Sequence, residues 1–155
     1  MSENILSIIP ADPYWQPAPE AADAAMEILQ RLSPQLEGFV TTEYRISWHE
    51  RAAAVDCGEN LEQIECPACE DAIDLEWWGD LLEERFETGF TELVVAVPCC
   101  GAEVSLNDLH YDWPCGFARF ELEVWNPNRD GLTDAELAEV AAALGSDVRQ
   151  ILAHI

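Results

Sequence analysis

The chain has 155 residues, 31 of them acidic and 7 basic, for a formal net charge of −24 and an isoelectric point near 4.1. All seven basic residues are arginine, and their being outnumbered by acids to a net −24 speaks against a direct grip on nucleic acid, since phosphate-backbone binding runs on cationic side chains and counterion release. Apolar residues make up 49% and six are tryptophan, so the chain has a core to build and is not of disordered composition.

Length fits a single domain, 1–155. No stretch approaches the ~18 apolar residues of a membrane span. The N-terminus has no basic region leading into an apolar one, so no export signal is expected. The six cysteines, Cys57, Cys66, Cys69, Cys99, Cys100 and Cys115, are then expected as reduced thiols of a cytoplasmic protein, not as a disulfide framework.

In chain order, residues 5–9 read as a short buried strand closed by Pro10. The proline-rich stretch 10–19, with Tyr14 and Trp15, is an ordered loop. A helix starts at Pro19, where proline suits the first turn and Glu20 and Asp23 meet the positive end of the dipole. Ala21, Ala25, Ile28, Leu29 and Leu32 share one face, and Ser33-Pro34 ends it. Residues 40–48 alternate as a strand, with Val40, Thr42, Tyr44, Ile46 and Trp48 on one side. Residues 52–55 suggest a further strand closing at the Asp56-Cys57-Gly58 turn.

Residues 74–86 read as an acidic amphipathic helix with Leu75, Trp78, Leu82 and Phe86 on its buried stripe, and 93–97 as a well-covered strand. Residues 119–125 alternate again, with Phe120, Leu122 and Val124 inward. Thr133 and Glu136 form a Thr-x-x-Glu capping box. Leu137, Val140, Ala141 and Leu144 line the helix that follows, and Gly145 suits a left-handed C-cap. Residues 147–155 read as a last strand. No internal repeat is evident.

Strand–helix–strand, an interruption of about 60 residues, and strand–helix–strand again resemble the ferredoxin-like split βαβ arrangement, an α+β fold with two helices on one face of a four-stranded sheet. A three-layer α/β fold is the alternative if more strands appear in the middle.

The middle carries the chemistry. Cys66-Pro67-Ala68-Cys69 and Pro98-Cys99-Cys100-Gly101 lie 29 residues apart, counted between Cys69 and Cys99. Two intervening residues let both thiolates of a turn point to one side, with proline and glycine shaping the backbone. Over residues 66–101 the chain resembles zinc-ribbon proteins, in which two such turns close on one tetrahedral zinc. The resemblance implies a zinc-ribbon insert, 58–115, with Cys66, Cys69, Cys99 and Cys100 as ligands of a structural zinc. The second turn departs from the usual pattern: aligning Cys100-Gly101 on its ending puts Val97 where the third ligand belongs. Cys99 then serves from the adjacent position, or Cys115, His110 or Cys57 replaces it.

A thioredoxin-type reading of the first turn conflicts with its acidic neighbours, which raise a thiol pKa. Four thiolates leave zinc no open position and make it a poor Lewis acid. Only a three-cysteine shell, with His110 or water completing it, would open a route to a metal-dependent hydrolase.

Residues 59–92 hold 12 acidic side chains and one basic one, Arg85. This stretch is either a solvated face or a landing surface for a basic protein, with Trp77, Trp78, Glu83, Glu84 and Glu87 as the candidate contact residues. The residues 105–114, polar and aromatic, are expected to pack over the metal turn. His49, His110 and His154 sit in no nucleophilic motif. The expected function is a zinc-stabilised acidic binding module, an inhibitor, immunity-type or adaptor protein; the alternative is the hydrolase.

Overall fold

The computed structural model describes residues 3–55, 61–113 and 115–154. The Asp56-Cys57-Gly58 turn, and with it Cys57 as a replacement ligand, lies outside them. The fold is mixed α+β, with three α-helices and three antiparallel sheets among the described residues and no barrel.

The largest sheet has four strands: β1 (Asn4–Pro10), β2 (Glu43–Val55), β8 (Gly116–Trp125) and β9 (Val148–His154), in the order β2-β8-β1-β9. Every neighbouring pair is antiparallel. Helices α1 (Pro19–Leu32) and α3 (Asp134–Leu144) cover one face of it. Leu6 and Ile8 of β1 and Phe120, Leu122 and Val124 of β8 meet Ala22, Ala25, Met26 and Leu29 of α1 and Val140 and Leu144 of α3 in one cluster.

Local chemistry sets both helices. Proline stands at the start of α1. The side chain of Thr133 accepts from the backbone N–H of Glu136 while that of Glu136 accepts from the N–H of Thr133, and Gly145 turns the chain out at φ 96°. Arg129 donates to both carboxylate oxygens of Glu136 and to the carbonyl of Leu32, tying the start of α3 to the end of α1.

Residues 61–113 between β2 and β8 form two small sheets and a helix. β3 (Ile64–Glu65) and β4 (Ala72–Ile73) make a hairpin, to which β7 (His110–Tyr111) adds beside β3. β5 (Val94–Ala96) and β6 (Glu103–Ser105) make a second hairpin. Helix α2 (Leu75–Arg85) is capped by Asp74, whose side chain accepts from the N–H of Glu76. A second core gathers Ile64, Cys66, Ile73, Phe90, Leu93, Val97, Leu106 and Leu109 with Ala52 of β2 and Phe117 of β8. The two long strands thus supply side chains to both cores.

Several expectations change. The strand expected at 40–48 begins at Glu43, and Val40 is 62% exposed. It does not stop at 48: a register shift between Trp48 and Ala53 lets one strand run on to Val55, absorbing the separate strand expected at 52–55. The stripe on α2 is rotated. Trp77, Trp78, Leu81 and Leu82 pack against the second core, while Leu75 and Phe86 face solvent. The run 93–97 is covered on one side only, that of Leu93, Val95 and Val97. Leu93 and Val97 are buried but Val94 is exposed, because a two-stranded sheet has one apolar face. The middle strands form sheets of their own and do not widen the four-stranded one, contrary to the three-layer alternative.

Candidate metal centre

Each hairpin of the 61–113 segment ends in the same turn. In the first, Cys66 N–H donates to the Asp71 carbonyl (2.9 Å) and Glu70 N–H to the Cys66 carbonyl (2.9 Å). In the second, Val97 N–H donates to the Ala102 carbonyl (3.0 Å) and Gly101 N–H to the Val97 carbonyl (2.8 Å). The left-handed residue of each turn is Glu70 (φ 66°) and Gly101 (φ 74°). The flanking strands repeat the register as well: Ile64 faces Ile73 as Val95 faces Val104, and Glu65 faces Ala72 as Ala96 faces Glu103. The two hairpins are therefore one motif repeated at a spacing of 31 residues, counted from Cys66 to Val97.

That equivalence pairs Pro67 with Pro98 and Cys69 with Cys100, but Cys66 with Val97 and Ala68 with Cys99. Both members of the third pair point inward, Cys66 fully buried and Val97 at 1% exposure. Val97 fills its position with methyl groups in the second core, and the sulfur comes from two residues further on. The two turns face each other so that Cys69 Sγ lies 3.4 Å from Cys99 Sγ and Cys66 Sγ lies 3.9 Å from Cys100 Sγ. All four sulfurs lie within 4.8 Å of one another. A tetrahedral zinc with Zn–S near 2.3 Å requires sulfurs about 3.8 Å apart, so this set can hold a metal ion. It is compatible with a zinc-ribbon-like site.

The setting grades from core to surface: Cys66 is buried, Cys69 and Cys99 half-buried, and Cys100 exposed. The backbone N–H groups of Cys69 and Ala68 hold the Cys66 thiol down at about 7, with the Ala68 N–H 3.3 Å from its sulfur. Burial first, and then the neighbouring thiols, pushes Cys99 up to about 12. The charged form of Cys99 is thus costly without a cation, and a bound cation would reverse that cost by favouring the thiolate.

The other candidate ligands fall elsewhere. His110 pairs with Glu65 through the backbone of β7, but its side chain is exposed and outside the cluster. Cys115 is buried with Ile9, Val55, Ala118 and Ile151. Of the candidate contact residues, Glu83, Glu84 and Glu87 are exposed, whereas Trp77 and Trp78 are half-buried on the second core. Trp78 packs edge-on to Tyr111 at 5.9 Å and donates to its hydroxyl. The freely exposed aromatic of this stretch is Phe86, 79% exposed. Its signal in the sequence was its place after Glu83-Glu84-Arg85 at the helix end, where no further turn is available to bury it.

Among the described residues no helix is long and apolar enough to cross a membrane. No protein-family model, no curated protein and no solved structure matches this chain.

Proposed function

We propose that this chain is a zinc-stabilised, acidic protein-binding module of the cytoplasm, an inhibitor, immunity-type or adaptor protein that takes a basic protein as its partner. The observation that carries the reading is the division of the 61–113 segment: four sulfurs converge between its two hairpin turns, while α2 turns Glu76, Asp80, Glu83 and Glu84 to solvent. The metal, held by Cys66, Cys69, Cys99 and Cys100, would fasten two hairpins too small to hold themselves together. Four sulfur donors fill a tetrahedral shell, which disfavours the hydrolase alternative. The strand order β2-β8-β1-β9 with two helices on one face supports reading the scaffold as a ferredoxin-like split βαβ unit, with 58–115 inserted as a zinc-ribbon module.

Carboxylates presented on a rigid surface steer a cationic partner towards it, and the same charge repels nucleic-acid phosphate. Two measurements test the reading. Protein purified without chelator should contain one zinc per chain, and metal should shield four thiols from alkylation. A basic partner captured from the native cytoplasm should associate at a rate that falls steeply with salt while its dissociation rate changes little. Protein without zinc, or association indifferent to salt, would overturn it.

A further inference from the structure

Among the described residues, strand β2 has a sheet neighbour on one side, β8, and forms an edge of the four-stranded sheet. Along its other side runs the segment that returns from α2. It touches β2 where Phe90 N–H donates to the Ala52 carbonyl (2.8 Å) and where Arg51 Nη1 donates to the Thr88 carbonyl (2.5 Å). Around these contacts, residues 48–54 and 86–90 enclose an open cleft of about 590 Å³. It is continuous through Ala54, Phe86, Glu87 and Phe90 with a second hollow of about 600 Å³ that reaches Glu83 and Glu84.

Two features coincide there. The first is apolar: Trp48 is 45% and Phe86 79% exposed, both on the cleft. The second is charge: Glu50, Glu83, Glu84 and Glu87 are exposed on its walls. Its arginine, Arg51, is committed to the Thr88 carbonyl.

We propose that this cleft is where the partner docks, through a basic segment that lies between residues 48–54 and 86–90. An apolar side chain of the segment lodges between Trp48 and Phe86, and flanking lysines or arginines meet Glu50, Glu83, Glu84 and Glu87. The proposal rests on the binding-module reading above and gives it a place and a mode. Aromatic anchors ringed by charge are the usual make-up of a binding hot spot. Charge selects the occupant: the carboxylates repel a phosphate backbone, and a second copy of a chain with net charge −24 is repelled likewise.

The test uses the full-length, metal-loaded protein and a fluorescein-labelled eight-residue peptide alternating arginine and valine, followed by anisotropy at about 150 mM salt. Phe86→Ser should weaken binding about tenfold or more. The triple variant Glu83→Gln, Glu84→Gln, Glu87→Gln should weaken it at least as much and flatten its salt dependence. A triple variant of exposed carboxylates on α1, Glu20→Gln, Asp23→Asn, Glu27→Gln, should change it little. Bound peptide should slow amide exchange within 48–54. These substitutions all lie on the surface, so the fold is retained, which circular dichroism checks. No binding of the peptide, or equal losses from the two triple variants, would overturn the cleft, yet leave the binding-module reading standing if the captured partner still shows salt-steered association. Loss of that salt dependence would strike the module reading itself.

Discussion

Cys66 and Val97 occupy the same position in two copies of one turn, and only one of them carries sulfur. The fourth sulfur of the cluster comes from Cys99, two residues on, at the place where the first turn has Ala68. Cys69 and Cys99 sulfurs nevertheless come within 3.4 Å, so the irregular second turn delivers its donor from the other side of Pro98.

If the equivalence governs metal binding, a sulfur at 97 can replace the one at 99. The double variant Val97→Cys, Cys99→Ala should retain one metal per chain, whereas Cys99→Ala alone should bind it more weakly. Cobalt substitution reads this directly, through thiolate charge-transfer absorption that scales with the number of sulfur ligands. Cys66→Ser should cost more than Cys100→Ser, because it also leaves a hydroxyl in the second core, where burying an unpaired one costs about 1–3 kcal/mol.

Removing the metal should loosen the 61–113 segment before the four-stranded sheet. The hairpins β3–β4 and β5–β6 are two or three residues per strand, too short to be stable without a cross-link. The sheet and its helices bury their own core. Amide exchange in the presence of chelator should therefore rise across β3 to β7 while protection persists in β8 and α3. A uniform rise would show one cooperative unit instead.

Phe117 tests how tightly the two cores are joined. It leaves β8 on the side of the second core and packs on Phe90 with ring centroids 5.0 Å apart, while Phe120 three residues later fills the first. Phe117→Ala should lower the unfolding free energy by about 3–5 kcal/mol, measured by urea denaturation. The loss should appear in the chelator-treated protein to a smaller extent, since the second core is then already loosened.

The Arg129–Glu136 pair predicts a pH dependence. The Arg129 guanidinium, helped by the Thr133 N–H, holds the Glu136 carboxyl below its usual range. A depressed folded-state pKa gives stability that is present above the ordinary glutamate value, about 4.3, and is lost as pH falls through the lower folded value. Glu136→Gln keeps the capping box but not the charge. Thermal melts should show the variant less stable than the wild type at neutral pH, with the difference closing under acid conditions.

What the sequence by itself determined were the features set within a few residues along the chain. Alternation at 119–125 placed Phe120, Leu122 and Val124 in the core because a strand turns successive side chains to opposite faces. Thr133, Glu136 and Gly145 bounded α3 because caps are contacts across one turn. The first cysteine turn was legible for the same reason. Tertiary structure alone decided which face of α2 is buried, since Leu75 and Phe86 fit the helical period as well as Trp77 and Leu81 do, and only the position of the second core chooses between them. It alone carried β2 past Trp48 to Val55, because a register shift is defined by the partner strand and leaves no mark on its own. The repeated hairpin was likewise hidden: Pro67 with Pro98 and Cys69 with Cys100 are the only identities between 64–73 and 95–104. The likeness lies in hydrogen bonds and register, which many side chains satisfy, and Cys99 joins the cluster through space rather than by spacing.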